Sequence, residues 1–522
     1  MNQLQSTQAE QAELIQKLLG RLEQLEKSKA EDAQRTQATE KAHQVEVQKL
    51  QGQIKELESK VGSLEAGRVV PEIAVTPTDG PTTKELDQKI RVVERNTELA
   101  AEATEARAKD APRLSVGANG FTLSSADTNF VLRLRGMLQA DSRTFFDDSP
   151  YIEGNSGFLI RRARIIFEGT VFRDFDFLLN PDFAGNSTTL VDAWLNYRYQ
   201  PSLQLRVGKM KGPVGLENLQ ADAVGSFNER SLANDLVPSR NVGVQLMGDI
   251  AGGVASYAVG VYNESGDYRN SGNSDFNDNK ELGARLFLQP FKKSSVKGLK
   301  GLGFGVGGSW ADLTFSVNGL PNTTGGTQPG YVTTGQQQFF AYLNTVQADG
   351  THWRFSPQGY YYWGPFGLLG EYIISDQGVY NTATLARVNL RNTAWQVGVQ
   401  WVLTGEDATY NGVTPKHPFD PRVGNWGAWQ LVGRVSQLTI DDAAFTGNAF
   451  SNPDFSASEA LSWSVGLNWW LNKNIRVLTS FSYTTFDGGG QVNPANALSL
   501  VPPATVTSQE EKVFFTRIQL AF

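Results

Sequence analysis

Ten arginines stand on every second residue of runs whose remaining positions are apolar: Arg133, Arg135, Arg143, Arg162, Arg164, Arg206, Arg285, Arg434, Arg476 and Arg517. A guanidinium is planar, permanently charged and able to donate two parallel hydrogen bonds to a carboxylate or phosphate. Spread over so much chain, these groups do not read as acid–base or nucleophilic machinery. They read as the lining of a wet surface past which anions move. Asp141, Glu168, Asp176, Asp182 and Asp192 fall in the same phase. Either the two signs pair across facing walls and set up a transverse field, or the arginines leave a net anion ladder; the first is the more usual outcome.

These residues need an element that keeps one face wet. From about residue 129 the hydrophobic period is two. Leu132, Leu134 and Leu138 oppose Arg133, Arg135, Gln139 and Asp141, and Trp395, Val397, Val399 and Trp401 oppose Gln396, Gly398 and Gln400. In the last ten residues Phe514, Ile518, Leu520 and Phe522 oppose Phe515, Arg517, Gln519 and Ala521. Apolar-out, polar-in alternation with aromatics near strand ends is the pattern of a transmembrane β-barrel, and Phe522 reads as its assembly signal. Such strands escape the test for a membrane helix, which needs about 18 consecutive apolar residues.

Tight turns at 200–202, 251–253, 364–365 and 471–474 alternate with long polar stretches at 144–156, 212–240, 264–278, 315–350, 378–390 and 487–510. The sum is about 16 antiparallel strands over 129–522, with 336–347 assigned to a hairpin outside the wall. An even count puts both ends of the wall on one side. One segment, 406–425, is long yet falls among the short turns, and the alternation gives no account of it.

Ahead of the barrel the period is helical. Val47, Leu50, Ile54, Leu57, Val61 and Leu64 step by three and four, as do Ile15, Leu18, Leu22 and Leu25. The two runs differ in phase by four residues, a stutter. Together they predict an N-terminal α-helical coiled coil over 1–66. Its Val and Ile at one seam position with Leu at the other favour two strands in a parallel coil. Pro71, Pro77, Gly80 and Pro81 mark 67–84 as a linker, and 85–128 reads as a short helix over 84–109 plus a lead-in.

Composition excludes several classes. There is no Cys, hence no disulfide framework, thiol nucleophile or Cys metal site. The three His, His43, His352 and His417, are too scattered for a metal cluster, and a net charge of −7 argues against nucleic acid as a partner. The glycine-rich 301–308 lacks the Lys-Ser/Thr of a phosphate loop. Asp441 and Asp442, and the acidic 275–278 stretch, read as solvated loop rather than a Ca2+ site. No Ser–His–Asp arrangement is legible, so neither an enzyme nor a cofactor is expected. Residues 1–5 lack the basic and apolar regions of a secretory signal; a mature form with an added Met is inferred.

Several stretches resemble the phosphate- and polyphosphate-selective porins, porins O and P. They are Ile160-Arg161-Arg162-Ala163, Gly215-Leu216-Glu217, Glu229-Arg230, Gly364-Pro365-Phe366-Gly367-Leu368-Leu369, Leu403-Thr404-Gly405-Glu406-Asp407, Pro418-Phe419-Asp420-Pro421 and Val465-Gly466-Leu467-Asn468-Trp469, with the final strand. The resemblance spans roughly 85–522. It implies a sixteen-stranded barrel, usually trimeric, in a bacterial outer membrane, with loops folded inward. Arg162 matches an arginine of the family's basic ladder, and Asp192 an aspartate on the strand before the constriction. The loop at about 212–240, with Asp222, Glu229 and Arg230, is then the constriction. The lysine that phosphate-selective members place there falls near Ala223, so it is missing, which puts tight phosphate binding in doubt.

The reading is an outer-membrane porin for passive diffusion of small hydrophilic solutes, with a preference for anions or phosphate. Its partners are membrane lipid, two further copies of itself, and peptidoglycan reached through a coiled-coil spacer in the periplasm. A homotrimer is favoured over the two-stranded coil, because barrel contacts hold three helices at high effective concentration. The alternatives are a mainly structural tether between outer membrane and cell wall, or a loop-plugged barrel acting as an adhesin or receptor.

Overall fold

Strands form wherever branched or aromatic residues alternate with polar ones. The structure, a computed structural model, describes residues 88, 90–92, 94–99, 102, 110–146, 156–185, 187–267, 278–313, 330–454, 456–488 and 510–522. The expected coiled coil over 1–66 and linker over 67–84 lie outside the described residues. Two units divide the chain, Met1–Glu98 and Leu99–Phe522. Described residues of the first between 88 and 98 are helical, as the 84–109 expectation requires.

In the second unit a hairpin, β1 (Arg113–Gly117) and β2 (Gly120–Ser124), precedes the wall. Then come β3 (Val131–Phe145), β4 (Gly157–Val171), β5 (Phe175–Asp182), β6 (Thr189–Gln200), β7 (Leu203–Met210), β8 (Asn241–Ile250), β9 (Ala255–Asn263), β10 (Lys280–Leu288) and β11 (Leu302–Leu313). A two-stranded insertion follows, β12 (Tyr331–Val332) and β13 (Gln338–Phe340). The wall resumes with β14 (Val346–Trp363), β15 (Phe366–Asn381), β16 (Arg387–Val402), β17 (Ala428–Thr439), β18 (Ala457–Trp470), β19 (Ile475–Gly488) and β20 (Glu511–Ala521). Strands β3–β11 and β14–β20 make a closed antiparallel barrel of 16, the expected number. Closure is the β20–β3 pairing, with Arg517 opposite Asp141.

Two expectations need correction. The lead-in over 85–128 contains a hairpin: Leu114, Val116, Phe121 and Leu123 alternate, and β2 pairs β3 from Phe121↔Leu134 to Ser124↔Val131, just beyond where β20 stops at Ala521↔Met137. Phe522 packs edge-on against Phe121, and a side chain at Gly136 would meet its ring at 2.7 Å. The stretch 378–390 is not a long loop. Strands β15 and β16 run through it and leave only 382–386 between them; Arg387 and Asn389 are exposed on the strand itself, so polarity there does not mark a loop.

The outer face is apolar, with Val244, Leu246, Val259, Val399, Leu431, Val465 and Ile518 exposed, as lipid contact requires. Aromatics ring the short-turn end: Phe366 stacks on Trp401 at 5.8 Å and Trp429 on Trp469 at 5.1 Å. The inner face departs from polar-in toward the long-loop end. There Ile373, Val379, Leu390, Leu438 and Phe486 bury against Leu232, Leu236, Tyr331, Phe339, Phe340 and Phe450, because long loops fold into the mouth and form an apolar core on the β14–β20 side.

Candidate functional site: a lumen narrowed by inserted segments

The loop between β7 and β8, residues 211–240, turns inward, as expected for a constriction. Its entry is possible because the facing wall is bare. Pro213 lies against Gly283 and Gly307, where a Cβ would meet its Cγ at 3.0 Å and its carbonyl oxygen at 2.5 Å. The glycine-rich 301–308 is thus a barrel strand that makes room, not a phosphate cradle. Gly215, at φ 78°, opens a single helical turn, Leu216–Leu219, whose first N–H groups, on Leu216 and Glu217, donate to Glu371 on β15 at 2.5 and 3.1 Å.

The loop carries the acids and the wall most of the bases. Asp222 accepts from Arg164 and Arg230 at 2.7 Å each, with Arg162 at 3.3 Å and Arg240 at 3.9 Å. Glu229 takes Arg161 at 2.6 Å, Arg143 at 3.1 Å and Arg517 at 3.6 Å. Glu217 takes Arg434 at 3.0 Å. Burial alone would raise both the Asp222 and Glu229 carboxyls. The surrounding guanidiniums, Arg162 and Arg230 for Asp222 and Arg161 and Arg517 for Glu229, outweigh it and hold both below the usual carboxylate range. Burial raises Asp235 instead, and no arginine reverses it.

Of the expected lining residues, Arg143, Arg162, Arg164, Arg434 and Arg517 converge on this loop or on Asp141. Asp182 backs Arg164 at 2.8 Å, and Asp192 meets Arg240 at 3.4 Å. Arg133 and Arg135 lie apart, near the short-turn end, both on Glu168 at 3.9 and 3.1 Å. Asp176 meets Arg198 at 3.6 Å. Arg476 is sealed under the loop, over Trp470 and bonded to Gly225 and Gln519. Around the loop the two signs pair, the first of the two arrangements weighed from sequence.

Several further side chains take part that strict alternation does not single out. Gln139 pairs Arg162 but Ala140 pairs Ile160, so Arg161 is the extra residue of a β-bulge. That bulge turns both Arg161 and Arg162 toward the loop, where a strict period of two admits only one. Arg354 on β14 binds Asp267 and Glu281 at 2.8 Å each, and its alternation with Trp353 and Phe355 was a usable signal. His352, Ser375 and Asp267 do meet, contrary to expectation, but not as a relay. The same ring nitrogen, Nε2, faces Ser375 at 2.9 Å and Asp267 at 3.4 Å, and the Ser375 hydroxyl donates to Asp267 at 2.8 Å. A relay needs the acid and the hydroxyl on opposite nitrogens. The cluster fastens the 264–267 segment to the wall.

The segment 406–425 now has a role. Between β16 and β17 the chain enters the lumen from the short-turn end and meets the constriction loop from below. Tyr410 stacks on Tyr360 at 5.3 Å, its carbonyl accepts from Gln220 at 2.6 Å, and Val402, Ala408, Val413 and Trp470 bury beneath it. With this side filled, open space remains along β5–β10, as a cavity of about 450 Å³ that holds Arg206 and Arg285.

A family model described as phosphate-selective porin O and P matches residues 132–494. No curated protein matches the chain. Among solved structures, the chain is similar to the outer membrane channel DcaP of Acinetobacter baumannii at 10% identity, covering 76% of this chain and 98% of that one, with a TM-score of 0.46. It is similar to OmpT of Vibrio cholerae, as expressed in the outer membrane, at 11% identity, with coverage of 76% and 98% and a TM-score of 0.44. It is also similar to the anion-selective porin from Comamonas acidovorans, at 11% identity, with coverage of 75% and 99% and a TM-score of 0.44.

Proposed function

The chain belongs to the phosphate-selective porin O and P family, and on that premise we propose that its channel favours anions and works as a homotrimer. As a porin it passes small hydrophilic solutes by passive diffusion across the outer membrane. One observation carries the anion preference. The arginines that reach Asp222, Glu229 and Glu217 are neutralised by them, and Arg476 is sealed beneath the loop, whereas Arg206 and Arg285, on the open side, have no carboxylate within ion-pair distance among the described residues. Fixed positive charge beside the water path raises local anion concentration. Phosphate itself is less well served, because Asp222 already sits among four guanidiniums that an oxyanion would need.

The test is a planar bilayer with a KCl gradient across it. Stepwise conductance with a reversal potential on the chloride side supports the proposal; a cation-side reversal rejects the anion preference, and absence of steps rejects the channel. For residues 1–66 the proposed role is a periplasmic spacer that reaches peptidoglycan. Co-sedimentation with isolated cell wall should fall when 1–66 is removed, and equal sedimentation rejects the tether.

A further inference from the structure

Arg206 is unlike the other lumen arginines. Among the described residues it makes no hydrogen bond and no ion pair; Arg143, Arg162, Arg434 and Arg476 share its unpartnered buried Nε, but each has partners for its other nitrogens. Its guanidinium carbon lies over Trp194, 4.0 Å from the ring centroid. In that pose the ring covers one face, and the N–H edge is left for an acceptor that the protein does not provide. Arg285 lines the same cavity, uses only Nε, toward Gln358 at 3.1 Å, and lies 4.5 Å from the centroid of Phe287. A half-buried guanidinium whose outer N–H groups have no protein acceptor is available to an anion that enters the cavity.

The rest of the cavity indicates what kind of anion fits. Leu178, Met210 and Met247 line it beside Trp194. Asp192 and Asp249 line it too; the first is held by Arg240 at 3.4 Å and the second accepts from Ser256 at 2.6 Å. A doubly charged, fully hydrated phosphate gains nothing from thioether and leucine walls and is repelled by both aspartates. A monoanion with an apolar body loses less to that repulsion and gains by covering apolar surface.

We propose that this cavity is a binding subsite for organic monocarboxylates, with Arg206 and Arg285 taking the carboxylate and Trp194, Leu178, Met210 and Met247 meeting the apolar body. This rests on the porin reading and names a solute class within it. Lys211 also lines the cavity, donating to the Gln220 carbonyl at 2.8 Å. Burial, with Arg230 beside it, pushes its ammonium well below the usual range.

The experiment uses the full chain in planar bilayers, with benzoate, acetate and inorganic phosphate added in turn to a KCl bath. Benzoate should reduce the current saturably, at a half-blocking concentration at least tenfold below that of acetate or phosphate. Arg206→Gln and Trp194→Leu should each raise the benzoate half-block by tenfold or more, and Arg285→Gln should raise it several-fold. Arg422→Gln, in the exposed stretch after β16, should leave it unchanged. Equal block by benzoate and acetate overturns the subsite, as does tighter block by phosphate, or wild-type block in both arginine variants. Normal KCl steps without benzoate preference defeat this inference alone; loss of the steps in wild type defeats the porin reading. If one arginine variant fails to assemble, the wild-type solute series and the other variant decide.

Discussion

The hydroxyl of Tyr410 donates to the carbonyl of Leu216 at 2.7 Å. Tyr410 enters the lumen from the short-turn end and Leu216 from the long-loop end, so one hydrogen bond joins two segments that approach from opposite mouths. Tyr410→Phe removes it and keeps the stack on Tyr360. A net cost of about 1 kcal/mol is expected, enough to loosen the loop without unfolding the barrel. Single-channel records should show more frequent brief current fluctuations at unchanged mean unfolding temperature. Records indistinguishable from wild type would mean that the wall alone holds the loop.

Asp222→Asn leaves Arg162, Arg164, Arg230 and Arg240 around a neutral amide. The reversal potential in a KCl gradient should move toward chloride, with the anion-to-cation permeability ratio rising several-fold. Phosphate block should appear or tighten, since the four guanidiniums would then lack their internal carboxylate. A shift toward potassium would show that the cluster is out of reach of passing ions.

The pH response follows from the same acids. Asp222 and Glu229 have folded-state pKa values below the unfolded ones of about 3.9 and 4.3. Their contribution to loop docking is therefore complete above that range and is lost only as pH falls through the lowered values. The part of the conductance change with pH that Asp222→Asn and Glu229→Gln abolish should therefore lie below about pH 4. A midpoint near 5 would contradict the caging of these carboxylates.

Asp267 accepts from Arg354, Ser375 and Tyr331, all buried. Asp267→Ala strands the Arg354 charge with only Glu281, and about 3 kcal/mol of local stability should be lost. Protease sensitivity after β9 should rise, while KCl conductance survives. Ser375→Ala removes one of the hydrogen bonds to Asp267 and should raise protease sensitivity less than Asp267→Ala does, with KCl conductance unchanged.

Much of the wall was legible because lipid on one side and water on the other impose a period of two. Val397, Val399 and Trp401 could hardly be placed otherwise. The period fails where a bulge adds a residue, as at Arg161, and where a loop replaces water inside the barrel, as at Ile373 and Leu438. The 406–425 segment was opaque for a different reason. Its partners Gln220 and Leu216 lie far away in sequence, and nothing in Tyr410 or its neighbours announces a destination. The hairpin at 113–124 did carry a signal, the alternation of Leu114, Val116, Phe121 and Leu123, but it is too short to stand out beside strands twice its length. The pairing of Asp222 and Glu229 with particular arginines depends on the path of the loop, which composition does not encode.

The acidic residues Glu217, Asp222 and Glu229 all ride on the loop between β7 and β8, while their wall partners Arg143, Arg161, Arg162, Arg164, Arg434 and Arg517 are spread over β3, β4, β17 and β20. Half of the filter is therefore a contiguous cassette and the other half is distributed. Replacing one stretch of sequence can reverse the sign of the constriction in a single heritable step, whereas the same change made from the wall needs separate substitutions on four strands. A lineage under shifting nutrient supply would be expected to diversify in the cassette and keep the wall.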